Sequence, residues 1–270
     1  MSASIRYEQR GRIALLTLDR PERHNALTFP MMRELAAAWD EIKRDDGIAC
    51  AIVTGAGEKA FCTGMDLSGI SAADAEVLGA TDSALRESPV FKLTALQNRC
   101  WKPVITAVNG MVCGGGFHFL ADSDLILSVD TATFFDNHVA VGLVAGLEPV
   151  GLARRIPLEQ VFRLALLGGS ERMDAPAALA CGLVGEVLPR ERLLERAFEL
   201  AEKIGRHSLT ALMRTKRAIW ESLDGGLQPG LEATWRIIAE HQAHPDSREG
   251  AKAFAEGRAP AWGAVPDSLK

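Results

Sequence analysis

Residues 103–120 read PVITAVNGMVCGGGFHFL, an apolar run that ends in three consecutive glycines, Gly114, Gly115 and Gly116, and continues into a helix-forming stretch. A backbone without side chains can turn its own N–H groups, at the start of a helix, toward an oxygen that is acquiring negative charge. Upstream, residues 59–67 read KAFCTGMDL, a second turn of small residues that follows the apolar strand expected at 49–54. Two such turns brought together can form an oxyanion hole. Taken alone, a glycine cluster after a strand is more simply a turn that needs positive φ or a close helix contact. The pairing of two such turns is what points to chemistry.

The elements that must position these turns follow from the apolar pattern. Strands are expected at 5–8 and 12–18 as a pair, then at 50–54, 103–108 and 125–129. Thr28 with Pro30 marks the start of an amphipathic helix that ends near 46. Strands alternating with helices imply βαβ-type crossovers. After Pro157 the pattern is mostly helical, with helices expected at 190–204, 209–223, 227–243 and 246–255, punctuated by Gly225, Gly226, Pro229 and Pro245. No solenoid-type period is present.

Composition narrows the class. A chain of 270 residues with 47% apolar content can fill the core of one substantial domain, with or without a helical appendage. A net charge of −5 supplies no general field for phosphate backbones, which argues against nucleic acid as the main partner. The five cysteines, Cys50, Cys62, Cys100, Cys113 and Cys181, are odd in number and without C-x-x-C spacing, so reduced, intracellular thiols are expected. Cys62 and Cys113 flank the glycine turns, either as a nucleophile or, more commonly, as small residues packed under tight turns. No basic segment followed by an apolar core opens the chain and no apolar run approaches a membrane span, so a cytoplasmic protein without membrane contact is expected. Residues 54–59, TGAGEK, lack the spacing of a phosphate loop. His241 and His244 share a helix spacing but have no third metal ligand nearby, and no metal is expected.

The order LDRPERHNAL (18–27), AFCTGMDL (60–67), KPVITAVNGMVCGGG (102–116) and EGAKAFAEGRAPAW (249–262) resembles the crotonase superfamily, the enoyl-CoA hydratase and isomerase group, over residues 5–262. The resemblance implies an α/β fold: a crotonase-like core at 1–205 in which ββα units repeat as turns of a spiral, and a C-terminal helical region at 206–270 that builds a trimer interface. It implies an acyl-CoA thioester substrate, a homotrimer or hexamer, and no cofactor apart from the coenzyme A carried by the substrate. The backbone N–H groups of Met65 and Gly115 would donate to the thioester oxygen. Coenzyme A would be met by Arg23, Ala26, Thr63, Gly64, Asp66 and Leu67. Two lysines that often pair with its phosphates look replaced by Ser68 and Gly257, for which Arg23 and Arg258 can compensate. The segment at 68–88, rich in Ala, Ser, Gly and Asp, reads as a solvated helix and loop or, as in relatives, a mobile wall over the acyl pocket.

The chain departs from that pattern at the acid/base pair. Where the group's hydratases carry two glutamates, this sequence has His118 and His138. A histidine at 118 can also be a core residue between Phe117 and Phe119. His138 has Asp136 two positions earlier and Glu148 beyond a glycine loop, and either carboxylate can orient its ring. Polarising a thioester carbonyl makes its α-carbon acidic and its β-carbon electrophilic, so one oxyanion hole serves hydration, double-bond migration and C–C cleavage alike. The first reading is therefore an enoyl-CoA hydratase/isomerase-type enzyme with histidines at the acid/base positions. The second is a C–C hydrolase of a β-dicarbonyl, similar to the β-diketone hydrolases. The third is an acyl-CoA binder without turnover.

Overall fold

A computed structural model describes residues 4–69 and 92–270. Beyond Gly69, the segment at 68–88 lies outside the described residues.

Strands β1 (Ile5–Arg10) and β2 (Ile13–Leu18) form an antiparallel hairpin that turns at Gly11, where φ is +58°. From β2 the large sheet is parallel: β3 (Cys50–Gly55), β5 (Val104–Val108), β7 (Leu125–Val129) and β10 (Glu186–Leu188) follow in that spatial order. β2, β3 and β5 are buried along their whole length, as expected of strands covered on both faces.

Each of the three central strands leads into a short strand of a second sheet, β4 (Ala60–Cys62), β6 (Met111–Cys113) and β8 (Thr133–Phe135), whose edge is β9 (Met173–Asp174). The chain thus repeats one advance, a long strand in the first sheet and a short one in the second, which is the spiral of a crotonase-like fold. Strands of three residues carry too little pattern to be read from sequence.

Helix α1 (Phe29–Arg44) starts at Thr28, whose hydroxyl accepts the Met31 N–H at 3.3 Å, and buries Met31, Met32, Leu35, Ala38, Trp39 and Ile42 on one stripe. Its last turn is closed by Lys102, a fully buried lysine that donates to the carbonyls of Ile42, at 2.6 Å, and of Asp45. The short helix α2 (Phe117–Ala121) follows the three glycines, and α3 (Leu147–Leu152) and α4 (Leu158–Leu166) precede α5 (Ala175–Ala180). α6 (Arg190–Gly205) packs Leu193, Ala197 and Ala201 over the large sheet.

α7 (Leu209–Ser222) and α8 (Leu227–Gln242) form an antiparallel pair, and α9 (Asp246–Glu256) ends at Gly257 in a left-handed conformation. A separate small core joins Leu209 and Met213 to Val265 and Leu269. Along α8, Leu227, Leu231, Trp235 and Ile238 are exposed, and Phe254 of α9 is 90% exposed. No helix among the described residues is long and apolar enough to cross a membrane.

Candidate active site

Because β4 and β6 are adjacent and parallel, the turns that follow them leave the sheet at the same edge. They touch through bare backbone. Gly64 has φ +81°, and a Cβ there would lie 2.7 Å from the Gly115 nitrogen; a Cβ on Gly116 would lie 2.5 Å from the Cys62 carbonyl oxygen. Only glycine lets the turns approach this closely.

Both N–H groups singled out in the sequence are left without a protein acceptor among the described residues, for backbone reasons. Met65 forms an isolated parallel bridge with Leu27, in which Leu27 N–H donates to the Gly64 carbonyl (2.7 Å) and Asp66 N–H to the Leu27 carbonyl (2.8 Å). That pairing uses the groups on either side of Met65 and turns its own N–H the other way. Gly114–Gly116 is a 3-10 turn, and the leading N–H groups of such a turn have no intrahelical partner. A Cβ on Gly115 would stand 3.8 Å from the Met65 nitrogen, so the two donors border one space.

Two ionisable clusters flank that space. His138 stands just beyond β8, at the start of a 3-10 turn, where buried Asp136 accepts both its backbone N–H, at 2.8 Å, and its Nδ1–H, at 2.8 Å. With Nδ1 committed, Nε2 faces Gly114: a Cβ on that glycine would lie 3.8 Å from it. The Asp136 carboxylate raises the His138 pKa above the ordinary imidazole value, more than burial lowers it, and the Glu148 charge adds to the rise.

On the other side, His118 Nε2 lies 3.3 Å from Glu148 Oε1, both side chains being about nine-tenths buried. His118 Nδ1 lies 3.3 Å from the Gln97 amide nitrogen. Glu148 Oε1 is 3.8 Å from the Cβ position of Gly115. Burial pushes the Glu148 carboxyl up, but the His118 hydrogen bond and the two histidines outweigh it and hold it below its usual value.

This geometry separates the two carboxylates left open by the sequence. Asp136 orients His138; Glu148 does not bond that ring but pairs with His118 and reaches His138 only through its charge. His118 is thus more than a core residue between phenylalanines. Gln97, which completes the cluster, carried no sequence signal, since nothing in its neighbourhood marks a polar side chain aimed at α2.

Cys62 and Cys113 are buried, and burial pushes each thiol up to about 12, which leaves no thiolate for a nucleophile. The His241 and His244 rings stack at 5.7 Å, with His241 beside Arg214. Among the described residues no group of three His, Cys, Asp or Glu is arranged to hold a metal ion.

A third cluster lies beside the Leu27–Met65 bridge. Asp66 accepts from Arg20 at 3.1 Å, from Arg23 at 3.4 Å and from the Ser68 hydroxyl at 2.5 Å, and Arg23 also donates to Ser68 at 2.6 Å. The Ser68 hydroxyl above all, then the Ser68 backbone N–H and the two guanidinium groups, hold the Asp66 carboxyl far below the usual range against the opposing effect of burial. Arg20 also donates to the Ala26 carbonyl, and the Thr63 hydroxyl to the His24 carbonyl. The turn itself, with His24 and Asn25 both at positive φ, is clamped by fully buried Asn25, which donates to the carbonyls of Ala56 and Ala60 and accepts from Arg20 N–H. Arg20 and Asn25 stand in the LDRPERHNAL run but were not singled out by their types alone. Leu67 is exposed beside this cluster. Arg258 is elsewhere engaged, bridging Glu249 and Glu256 at the end of α9, with no described contact to the turn.

Two glycine turns meeting at one sheet edge of a two-sheet spiral define a crotonase-type protein. A profile of the enoyl-CoA hydratase/isomerase family matches residues 8–265, and the chain belongs to that family of enzymes. It is 34% identical to (E)-benzylidenesuccinyl-CoA hydratase of Thauera aromatica over 263 residues, covering 96% of this chain and 98% of the relative. It is 31% identical to 2,3-dehydroadipyl-CoA hydratase of Escherichia coli K12, covering 92% and 94%. Among solved structures, an enoyl-CoA hydratase/isomerase from Mycobacterium paratuberculosis superposes with a TM-score of 0.84 at 36% identity, covering 96% of this chain and 98% of that one.

Proposed function

We propose that this enzyme of the enoyl-CoA hydratase/isomerase type binds an acyl-CoA thioester with its carbonyl oxygen between the N–H groups of Met65 and Gly115. The observation that carries this reading is the convergence of two unclaimed backbone donors on a space bordered by His138 and Glu148. Each donor aimed at the developing oxyanion is worth about 3 kcal/mol of barrier. The His138–Asp136 dyad supplies one proton-transfer group at its free Nε2, and the His118–Glu148 pair supplies the other.

Arg20 and Arg23 share the single carboxylate of Asp66, so these three side chains carry one net positive charge, and half-exposed Arg23, released from Ser68 and Asp66, can meet a phosphate of coenzyme A. Arg258 joins this role only after release from Glu249 and Glu256. No cofactor beyond the coenzyme A of the substrate is needed for these steps. The exposed apolar faces of α8 and α9 fit burial in a homotrimer or hexamer.

A second reading, hydrolysis of a β-dicarbonyl, draws on the same dyad: a histidine oriented by a buried carboxylate is a base for water. A thermal-shift titration separates the two readings. Coenzyme A and crotonyl-CoA should raise Tm in proportion to ln(1 + [L]/Kd) if the thioester is the ligand, with about 2.7 kcal/mol at a hundredfold excess over Kd. Cleavage of a β-dicarbonyl without any stabilisation by coenzyme A esters would favour the hydrolase.

A further inference from the structure

We propose that Glu148 is the catalytic carboxylate of its pair, the group that touches the substrate α-carbon proton, and that His118 is a positioning residue that holds it beside Gly115. The inference rests on the acyl-CoA reading and assigns a role within its site.

The hydrogen-bond network decides between the two members of the pair. Gln97 Oε1 accepts the Leu93 N–H at 2.8 Å, which fixes the amide and turns its nitrogen toward His118 Nδ1 at 3.3 Å. An amide nitrogen only donates, so Nδ1 holds a lone pair and the ring proton of His118 sits on Nε2, facing Glu148 Oε1 at 3.3 Å. Both ring nitrogens are then committed, and His118 has no lone pair left for a substrate proton. Glu148 is placed differently. Each of its oxygens has two lone pairs, so accepting one N–H leaves Oε1 able to take a proton. That oxygen is 3.8 Å from the Cβ position of Gly115, the same position that lies 3.8 Å from the Met65 nitrogen.

Among the described residues the titratable groups that face Glu148 are His118 of α2 and His138 beyond β8, and together they keep its carboxyl ionised at neutral pH. The carboxylate takes a proton from the α-carbon. The C–H electron pair becomes the carbon–carbon double bond of the enolate, and the carbonyl π pair moves to the thioester oxygen, where Met65 and Gly115 donate. Glu148 is left as the neutral acid and returns the proton in the reverse step.

The test is exchange of the α-protons of butyryl-CoA in D2O, followed by proton NMR, because it needs enolate formation and no particular overall reaction. Glu148→Gln should slow exchange by two to four powers of ten while circular dichroism and the thermal shift with coenzyme A stay as in wild type. His118→Gln, which keeps an N–H donor, should lose only about tenfold, the worth of one hydrogen bond. It should also move the acidic limb of the exchange rate to higher pH, since the bond that holds the Glu148 carboxyl down is weakened.

Equal losses in both variants with the limb unmoved, or exchange undiminished in Glu148→Gln, would overturn the assignment alone. A wild type that binds coenzyme A esters without exchanging would overturn it too. A wild type that neither exchanges nor is stabilised by coenzyme A esters overturns the acyl-CoA reading and this assignment with it.

Discussion

The two groups that flank the glycines differ in kind, and their surroundings make them differ further. His138 sits against a buried carboxylate that favours its cation, and Glu148 sits against histidines that favour its anion. Asp136 above all favours the His138 cation, and His118 favours the Glu148 anion against the burial that opposes it, with only a smaller mutual contribution, so a proton donor and a proton acceptor can stand side by side at one pH. His138→Ala should therefore lower kcat/KM by two to four powers of ten on the true substrate. Stability follows from the same shift. The folded-state pKa of His138 lies above its unfolded value of 6.5, so its stabilising effect is fully present below pH 6.5 and fades as pH rises through the raised value. Urea melts of wild type and His138→Gln should differ most at pH 6 and converge toward pH 9; a constant difference would show that the dyad does not titrate.

How much of this was legible varied residue by residue. Asp136 and His138 were readable as a pair because they are two positions apart, although the backbone at His138 is helical, not extended, and the bond closes through a tight turn. The partner of Glu148 was not readable, because the contact joins α3 to α2 across thirty residues and is fixed only by packing.

At the scale of elements, the first five strands of the large sheet and the C-terminal helices follow their apolar patterns within a residue or two, since long periodic segments carry strong signals, whereas three-residue β10 lies in a stretch whose pattern reads as mostly helical. The short second sheet does not, yet it is what sets the two turns side by side. Gly64 is the most sensitive point of that junction. Gly64→Ala forces a Cβ to within 2.7 Å of the Gly115 nitrogen at a backbone angle that L-residues avoid. Activity should fall at least a hundredfold, with the far-ultraviolet spectrum retained, because the turns separate while the large sheet does not depend on them.

Lys102 makes a comparable prediction for stability. Lys102→Met leaves the Ile42 carbonyl without its Lys102 donor and the Asp45 carbonyl with only the Ile48 N–H, and should destabilise by about 2–3 kcal/mol in urea unfolding. An unchanged midpoint would mean that water reaches the end of α1.

At the scale of the molecule, Leu227, Leu231, Trp235 and Phe254 are exposed apolar surface that a lone chain would leave in water. Light scattering at micromolar concentration should give a trimer or hexamer, and a monomer would contradict that assembly. The central claim is finer and concerns a single bond. It is tested most directly by the carbonyl stretch of a bound acyl-CoA carrying carbon-13 at the thioester carbon, read by infrared difference spectroscopy. Two N–H donors converging on the oxygen should move that band to lower frequency than in free acyl-CoA. Gly115→Pro, which deletes one donor and whose ring Cβ would stand 3.3 Å from the Gly64 Cα, should move it part of the way back if binding and circular dichroism are retained. A bound band at the free frequency in the wild type would contradict the account.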